Sequence, residues 1–298
     1  MQINGVEIEN TFAEAFSIYG SRMLITALNT RWALEAARVA TGFATSVIGC
    51  GCEAGIEEEV DYQETPDGRP GVNSLFFAVS KAEIVKQLTA RIGQCIMTAP
   101  TSACYNNLLV EERVVVGGKL RYFGDGFQSS KLLDRRRLWR IPVMEGEFLV
   151  EDTFGVQKAV GGGNFLILGE TLEATLEAAE RAVAAIKKIK DVVMPFPGGI
   201  VRSGSKVGSR YKFLTASTNT SFCPTIRSRV ESEIPEGVNC VLEIVIDGLN
   251  LSAVKGAIKV GILAACIPGI KKITAGNYGG ALGKYHIHLL EVMGCNNG

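Results

Sequence analysis

Charge of one sign is what this chain most plainly lacks: 31 Lys and Arg stand against 31 Asp and Glu, for a formal net charge of zero. A neutral surface excludes simple electrostatic capture of nucleic acid or of an anionic membrane. Histidine is scarce, with two in 298 residues, and no CxxC occurs among the eight cysteines. Cys50-Gly-Cys52 has no second pair nearby, so the ligand spacing of a zinc site is missing and no metal is expected. The cysteines lie in apolar or small-residue segments without framework spacing, which reads as reduced thiols. The longest nearly apolar stretch, 257–270, is interrupted by Lys259 and is too short for a bilayer about 30 Å thick, so no membrane span is expected. Met1-Gln-Ile-Asn-Gly-Val-Glu offers neither a basic n-region nor an apolar h-region, and a cytoplasmic address is the default expectation. A phosphate loop fails too: ahead of Gly283-Lys284, Tyr278 stands where its first glycine belongs, and Tyr285 replaces Ser or Thr.

What the chain has in excess is apolar residues, 47% against 21% charged, with mean hydropathy +0.19. Part of that surplus is expected in subunit contacts. One supersecondary unit, strand–helix–strand, recurs four times. The first predicts a strand over 22–26, a helix capped by Asn29 and carrying Trp32, Ala36 and Val39, and a strand over 43–50. In the second, 74–79 is extended, Ser80 and Glu83 form a capping box for a helix with Ile84, Leu88 and Ile92 inward, Gly93 stops it, and 95–99 extends again. The third has 164–168 extended, then a helix capped by Thr171 with Leu172, Leu176, Ala179, Val183 and Ile186 as its apolar stripe, then a strand over 191–194. The fourth runs from 240–246 through a helix capped by Asn250 to a strand over 270–274. Two such units in series make a split βαβ, ferredoxin-like sandwich. The chain therefore reads as an α+β protein of two packed ferredoxin-like lobes, 1–146 and 147–298, with extra strands over 115–127 and 138–148. Clefts are expected where the uncovered sheet faces meet.

Glu243 interrupts the apolar strand Val241-Leu-Glu-Ile-Val-Ile246. Period-two alternation sends Leu242, Ile244 and Ile246 to one face and Val241, Glu243 and Val245 to the other. Facing a second sheet layer, the carboxyl would be desolvated and prepared to shuttle a proton near neutrality; facing water, it would only guard an exposed sheet. Glycine-containing loops at strand ends supply cleft candidates: Thr65, Asp67 and Arg69; Gly162, Gly163 and Asn164; Gly198 and Gly199; Ser203, Ser205 and Lys206; Asn277 and Tyr278. Thr98 joins them from the hydroxyl-rich run 94–104, where neither Cys95 nor Cys104 has the basic partner a thiol nucleophile needs. His286 and His288 alternate in a strand-like run and share one face.

Long strings of the chain also resemble one family, the formylmethanofuran:tetrahydromethanopterin formyltransferases. They are Asn4-Gly-Val-Glu-Ile-Glu-Asn-Thr-Phe-Ala-Glu-Ala-Phe16, Glu64-Thr-Pro-Asp-Gly-Arg-Pro-Gly71, Pro195-Phe-Pro-Gly-Gly-Ile-Val201 and Thr274-Ala-Gly-Asn-Tyr-Gly-Gly280. Cys50-Gly-Cys-Glu-Ala-Gly-Ile-Glu57, Arg121-Tyr-Phe-Gly-Asp-Gly-Phe127 and Trp139-Arg-Ile-Pro-Val-Met-Glu-Gly-Glu-Phe148 resemble its bacterial branch. The zero net charge departs from the acidic surface of archaeal members. The resemblance implies two ferredoxin-like lobes in homodimers or homotetramers, and membership of a formyltransferase/hydrolase complex. It implies formyl transfer between N5 of tetrahydromethanopterin and the amine of methanofuran or a bacterial analogue, from the pterin toward the furan carrier, in one-carbon (formaldehyde) oxidation. Both carriers act as substrates, with no tightly bound cofactor. The family's proposed catalytic glutamate lies in a Glu-Ile-Val-Ile strand and matches Glu243. A non-catalytic pterin-binding subunit, or a scaffold for a hydrolase, are the readings from other classes.

Overall fold

Each of the four units turns from strand to helix at a polar cap. In the computed structural model, which describes residues 1–133 and 135–295, Asn29, Ser80, Thr171 and Asn250 stand in extended backbone. Each accepts a hydrogen bond from the N–H three residues on. The first lobe is built from β1 (Phe12–Thr26), α1 (Thr30–Thr41), β2 (Cys52–Val60), β3 (Gly71–Ala78), α2 (Lys81–Arg91) and β4 (Ala103–Asn106). An extension follows of β5 (Ser129–Leu133), β6 (Arg136–Val143) and β7 (Gly146–Glu151). The second lobe comprises β8 (Gln157–Gly169), α3 (Leu172–Ile186), β9 (Val192–Val193), β10 (Cys240–Gly248), α4 (Leu251–Ala265), β11 (Ile270–Thr274) and β12 (Tyr285–His288).

Strand order is β4-β1-β3-β2 in one lobe and β11-β8-β10-β9 in the other, all antiparallel. Fourth, first, third, second is the order of the split βαβ sandwich, and it occurs twice. Helices cover one face of each sheet. α1 and α2 close a core with Met23, Ile25, Phe76, Ile84 and Leu88, while α3 and α4 close one with Phe165, Ile167, Leu242, Ile244 and Ile258. Each such side chain contributes roughly 1.5–3 kcal/mol by leaving water.

The two sheets are one. Residues Gln157–Gly161 of β8 pair with Phe16–Gly20 of β1, so the long strands fuse both lobes into a fifteen-stranded sheet. The N-terminal residues Val6, Ile8, Ala13 and Ala15 accordingly pack in the core of the second lobe. Between the lobes lie Ile18, Leu75, Phe77, Ala159, Val193 and Leu249. Gly55 permits this approach, since a Cβ there would sit 2.8 Å from Val193 Cβ. Arg22 ties the lobes with polar bonds, donating to Glu57 at 2.6 Å and to Asp191 at 2.5 Å. Among the described residues no helix is long and apolar enough to cross a membrane.

Four local expectations are corrected. Residues 43–50 do not form one strand: only Thr45–Ser46 is extended, pairing with Cys52–Glu53; Ser46 then caps a helix over Val47–Cys50, Gly51 turns the chain with φ of +79°, and the long strand begins at Cys52. Gly93 does not stop the second helix, which runs on through a π-turn over Ile92–Ile96 because Ile92 and Ile96 are both buried; the strand comes later, at β4. Residues 115–127 are mostly two helical turns, Gly117–Leu120 and Arg121–Gly124, whereas 138–148 is extended as expected and forms the hairpin of β6 and β7. Finally, Val39, Leu172 and Leu176 are exposed, and small residues take the buried stripes: Ala33, Ala36, Ala37 and Ala40 on α1, Thr175, Ala178, Ala179 and Ala182 on α3.

Candidate active site

The register of β10 decides which way Glu243 points. Leu242, Ile244 and Ile246 are buried under α3 and α4, so Glu243 faces the side of the sheet away from the helices. Leu166 of β8 lies opposite it, and Thr274 of β11 lies opposite Leu166. On its other flank the chain folds back along β10: Val201 N–H donates to Glu243 O at 2.8 Å, and Glu243 N–H donates to Val201 O at 3.0 Å. That return covers the strand edge and leaves a cavity of about 850 Å³. Leu166, Leu172, Leu176, Phe196, Val201 and Phe222 give it apolar walls, and Glu243 lies in it.

Half-covered and lining this cavity, Glu243 has lost most of its hydration, and burial pushes its carboxyl up to about 7. A group at that value holds and releases a proton with nearly equal ease at neutral pH. Ser203, Asn219 and Thr225 add hydrogen-bonding groups to the lining, and Arg202 a cation. The wall belongs to an unusual stretch: residues 201–229 contain six Lys and Arg and no carboxylate. Arg202 is the member of that stretch in the cavity lining, and a cation on an apolar wall favours anionic ligands.

Of the sequence candidates, Glu243 and Ser203 line this cavity. Asn164 and Tyr278 belong to its surroundings. Asn164 lies on the Glu243 face of the sheet and clamps Gly276, accepting from its N–H at 2.6 Å and donating to its carbonyl at 3.1 Å. Asn277 donates to Thr11 Oγ1 and Phe12 O. Burial raises the Tyr278 phenol above its usual range, and the nearby Glu243 and Glu14 charges raise it further. Gly162 N–H donates to Asp247 and Gly163 is packed beneath Val254. Gly198 and Gly199 line a second cavity of about 710 Å³ between the lobes, which shares Phe196 and Pro197 with the first.

The remaining candidates lie apart. Asp67 accepts from Thr26, Arg69 and Tyr105, and Thr65, which lines neither cavity, completes that local network by donating to Arg69 O. Thr98 lines a third hollow against Phe123 and Pro142. Ser205 is exposed, and Lys206 donates to Thr220 Oγ1 at 2.8 Å. His286 and His288 both lean on Phe12, 4.9 and 5.4 Å between ring centres. Sequence reasoning missed Leu172, Leu176, Phe222 and Glu14; for the leucines the available signal was two large apolar residues beside an alanine stripe broad enough to be the buried face.

Two family models divide the chain between them. Residues 1–143 match the one described as formylmethanofuran-tetrahydromethanopterin formyltransferase, and 146–292 match the one described as FTR, proximal lobe. The chain belongs to this formyltransferase family. A formylmethanofuran–tetrahydromethanopterin formyltransferase of Methylococcus capsulatus is 55% identical, over 98% of this chain and 100% of its own length. One of Methanococcoides burtonii is 56% identical over the same shares. Among solved structures, the Methanosarcina barkeri enzyme superposes with a TM-score of 0.93 at 52% identity, covering 98% of this chain and 100% of that one. The formyltransferase/hydrolase complex of Methylorubrum extorquens, in complex with methylofuran, contains a chain matching with a TM-score of 0.95 at 49% identity, over 98% of each. The family and the repeated sandwich expected from the sequence are both present.

Proposed function

We propose that the chain transfers a formyl group between N5 of tetrahydromethanopterin and the amine of methanofuran or an analogue such as methylofuran, with Glu243 as the proton acceptor. The attacking amine adds to the formyl carbon and forms a new C–N bond. The tetrahedral intermediate then collapses by breaking the old one, so the formyl group moves without any change of oxidation state. Glu243 takes the proton that the attacking nitrogen must lose and returns it to the nitrogen that leaves, a role worth about 10²- to 10⁴-fold in rate. Arg202, Ser203, Asn219 and Thr225 are among the lining groups able to donate to the developing oxyanion. Holding two carriers in line contributes the largest share, roughly 7–11 kcal/mol. The observation that carries the reading is a carboxyl raised to about 7 inside an 850 Å³ cavity.

The test is Glu243→Gln, which keeps the shape and removes the proton acceptor. With formyl-tetrahydromethanopterin and a methanofuran, turnover is expected to fall at least about a hundredfold while calorimetry still detects pterin binding. An unchanged turnover number removes the role. Binding with no formyl exchange in the wild-type chain would favour a non-catalytic, pterin-binding subunit.

The reaction is redox-neutral and runs between two carrier substrates, which supports an enzyme with no tightly bound cofactor. We read the direction as pterin toward furan carrier, in keeping with the hydrolase found beside the Methylorubrum extorquens relative, and a complex of this chain with such subunits follows from that reading. The lobes are read as 1–146 and 147–298, a division by chain position that passes through the β6–β7 hairpin, whose second strand packs with the first lobe. Assembly into a homodimer or homotetramer is supported by exposed Phe43, Phe123, Phe127 and Phe213. Eight unpaired cysteines suit a cytoplasmic setting.

A further inference from the structure

Beside the Glu243 face, one loop is held by an unusual anchor. Glu14 of β1 is 1% exposed, yet its carboxyl is ringed by four backbone N–H donors. Burial alone would raise its pKa, but four backbone N–H groups outweigh that and hold it at about 2. Its Oε2 accepts from Tyr278 at 2.6 Å and Gly280 at 2.9 Å; its Oε1 accepts from Leu282 at 2.6 Å and from Gly283. Gly279 and Gly280, with φ of +68° and +75°, bend the chain so that the N–H groups of residues 278, 280, 282 and 283 converge on this one side chain, while the Gly279 N–H donates to Asn277 Oδ1. All four hydrogen bonds come from residues 278–283, so the carboxylate determines the shape of that whole loop.

The loop is fixed at its other end to the sheet. Asn164 clamps Gly276 from the Glu243 face of β8, two residues along from Leu166, which lies opposite Glu243. Glu14 and Asn164 therefore hold the loop as a pair, one at each end. Tyr278 is the large side chain carried between them. Its ring packs 6.4 Å from Phe16, and its phenol feels the charge of Glu243. An ordinary turn needs no buried carboxylate, because leaving such a charge unsatisfied in the interior is costly.

We propose that Glu14 is a positioning residue for the formyl transfer: its carboxylate locks the 276–283 loop beside the Glu243 face of the sheet and so fixes Tyr278 next to Glu243. The proposal rests on Glu243 being the proton acceptor. A glutamine at position 14 offers one oxygen to at most two of the four N–H groups and turns its own N–H₂ toward the others. The loop loosens, and water reaches the base.

The test measures the Glu243 carboxyl by ¹³C NMR titration and kcat against pH, in the wild type, Glu14→Gln, Glu14→Asp and Tyr278→Leu. In Glu14→Gln the Glu243 titration and the acidic limb of kcat are expected to move together to lower pH by at least half a unit, with kcat down about tenfold or more per folded molecule. Glu14→Asp, which keeps the charge, is expected to restore the wild-type titration in part. If Glu14→Gln does not fold, Tyr278→Leu carries the test, since it leaves the four N–H donors in place; it is expected to shift the titration the same way. A fall in kcat with both titrations unchanged overturns the proposal, because a merely structural loss would do that. Glu243→Gln in the same assay separates the two readings. Turnover lost there, with no shift in the Glu14→Gln or Tyr278→Leu titrations, overturns the role of Glu14 alone; turnover retained there removes the proton-acceptor reading and the role of Glu14 with it.

Discussion

Glu243 is a residue kept at the expense of stability. Its folded-state value of about 7 lies above the ordinary carboxyl value near 4.3, so folding is favoured while the proton is retained and loses ground as pH rises from that ordinary value through 7. Glu243→Gln removes this loss. At pH 8 the variant is expected to be more stable than the wild type by up to about 3 kcal/mol, less whatever solvent enters through the cavity, and at pH 4 the two are expected to be equal. Urea unfolding at the two pH values measures this, and a less stable variant at pH 8 contradicts it. For the same reason the pH profile of kcat/KM is expected to rise through an acidic limb near 7, which a stopped assay across pH 5–9 would locate. At this scale the sequence was legible where period-two alternation applies: a carboxylate between valines had to leave the Leu-Ile-Ile face. Glu14 was not legible, because a glutamate in a strand looks solvent-facing until a distant loop wraps it in N–H groups.

Among the elements, α3 shows what spacing can and cannot tell. Leu172 and Leu176 repeat at helical intervals with Ala179, Val183 and Ile186, yet the helix turns so that Thr175, Ala178, Ala179 and Ala182 meet the sheet. Small side chains allow a close approach, which is also why α4 carries Gly261, where a Cβ would lie 2.8 Å from Ile186 Cδ1. The leucines are thereby released to line the cavity. Leu172→Ser is expected to change stability by less than about 1 kcal/mol while raising KM for a carrier at least about threefold. Ile186→Ala is expected to cost about 2–5 kcal/mol with KM unchanged. Thermal unfolding and steady-state kinetics on both variants distinguish the two faces; a severe loss of stability in Leu172→Ser would place that leucine in the core after all. The caps at Asn29, Ser80, Thr171 and Asn250 were readable because a side chain three residues from its partner N–H is a local arrangement. The π-turn at Ile92–Ile96 was not, since it is imposed by burial of two isoleucines.

Across the whole molecule, the lobes meet through a pair of acids as well as through apolar contacts. Asp247 of β10 is fully buried; its Oδ1 accepts from Gly162 N–H at 2.9 Å, its Oδ2 has no hydrogen-bond partner among the described residues, and the charge of Glu53 on β2 acts on it. Burial raises both, Asp247 most strongly, so the pair holds a proton between the lobes. Stability from that proton is present at acid pH and lost as pH rises through the raised values. Asp247→Asn supplies a permanent donor in its place, and the melting temperature of the wild type relative to this variant is expected to fall between pH 5 and pH 9. A constant difference across that range would show that no proton is shared.

By itself the sequence determined the repeated unit, its caps and the inward face of the strand that carries Glu243, because these rest on contacts within a few residues and on fixed side-chain periods. It also carried the resemblance by which the chain's chemistry is read. Only the tertiary structure decided that the two sheets are one, that Leu172 and Leu176 face a cavity, and that Glu14 gathers a loop from the far end of the chain. Desolvation of Glu243 belongs with these, since it depends on which surfaces close over a side chain, and no local pattern records that.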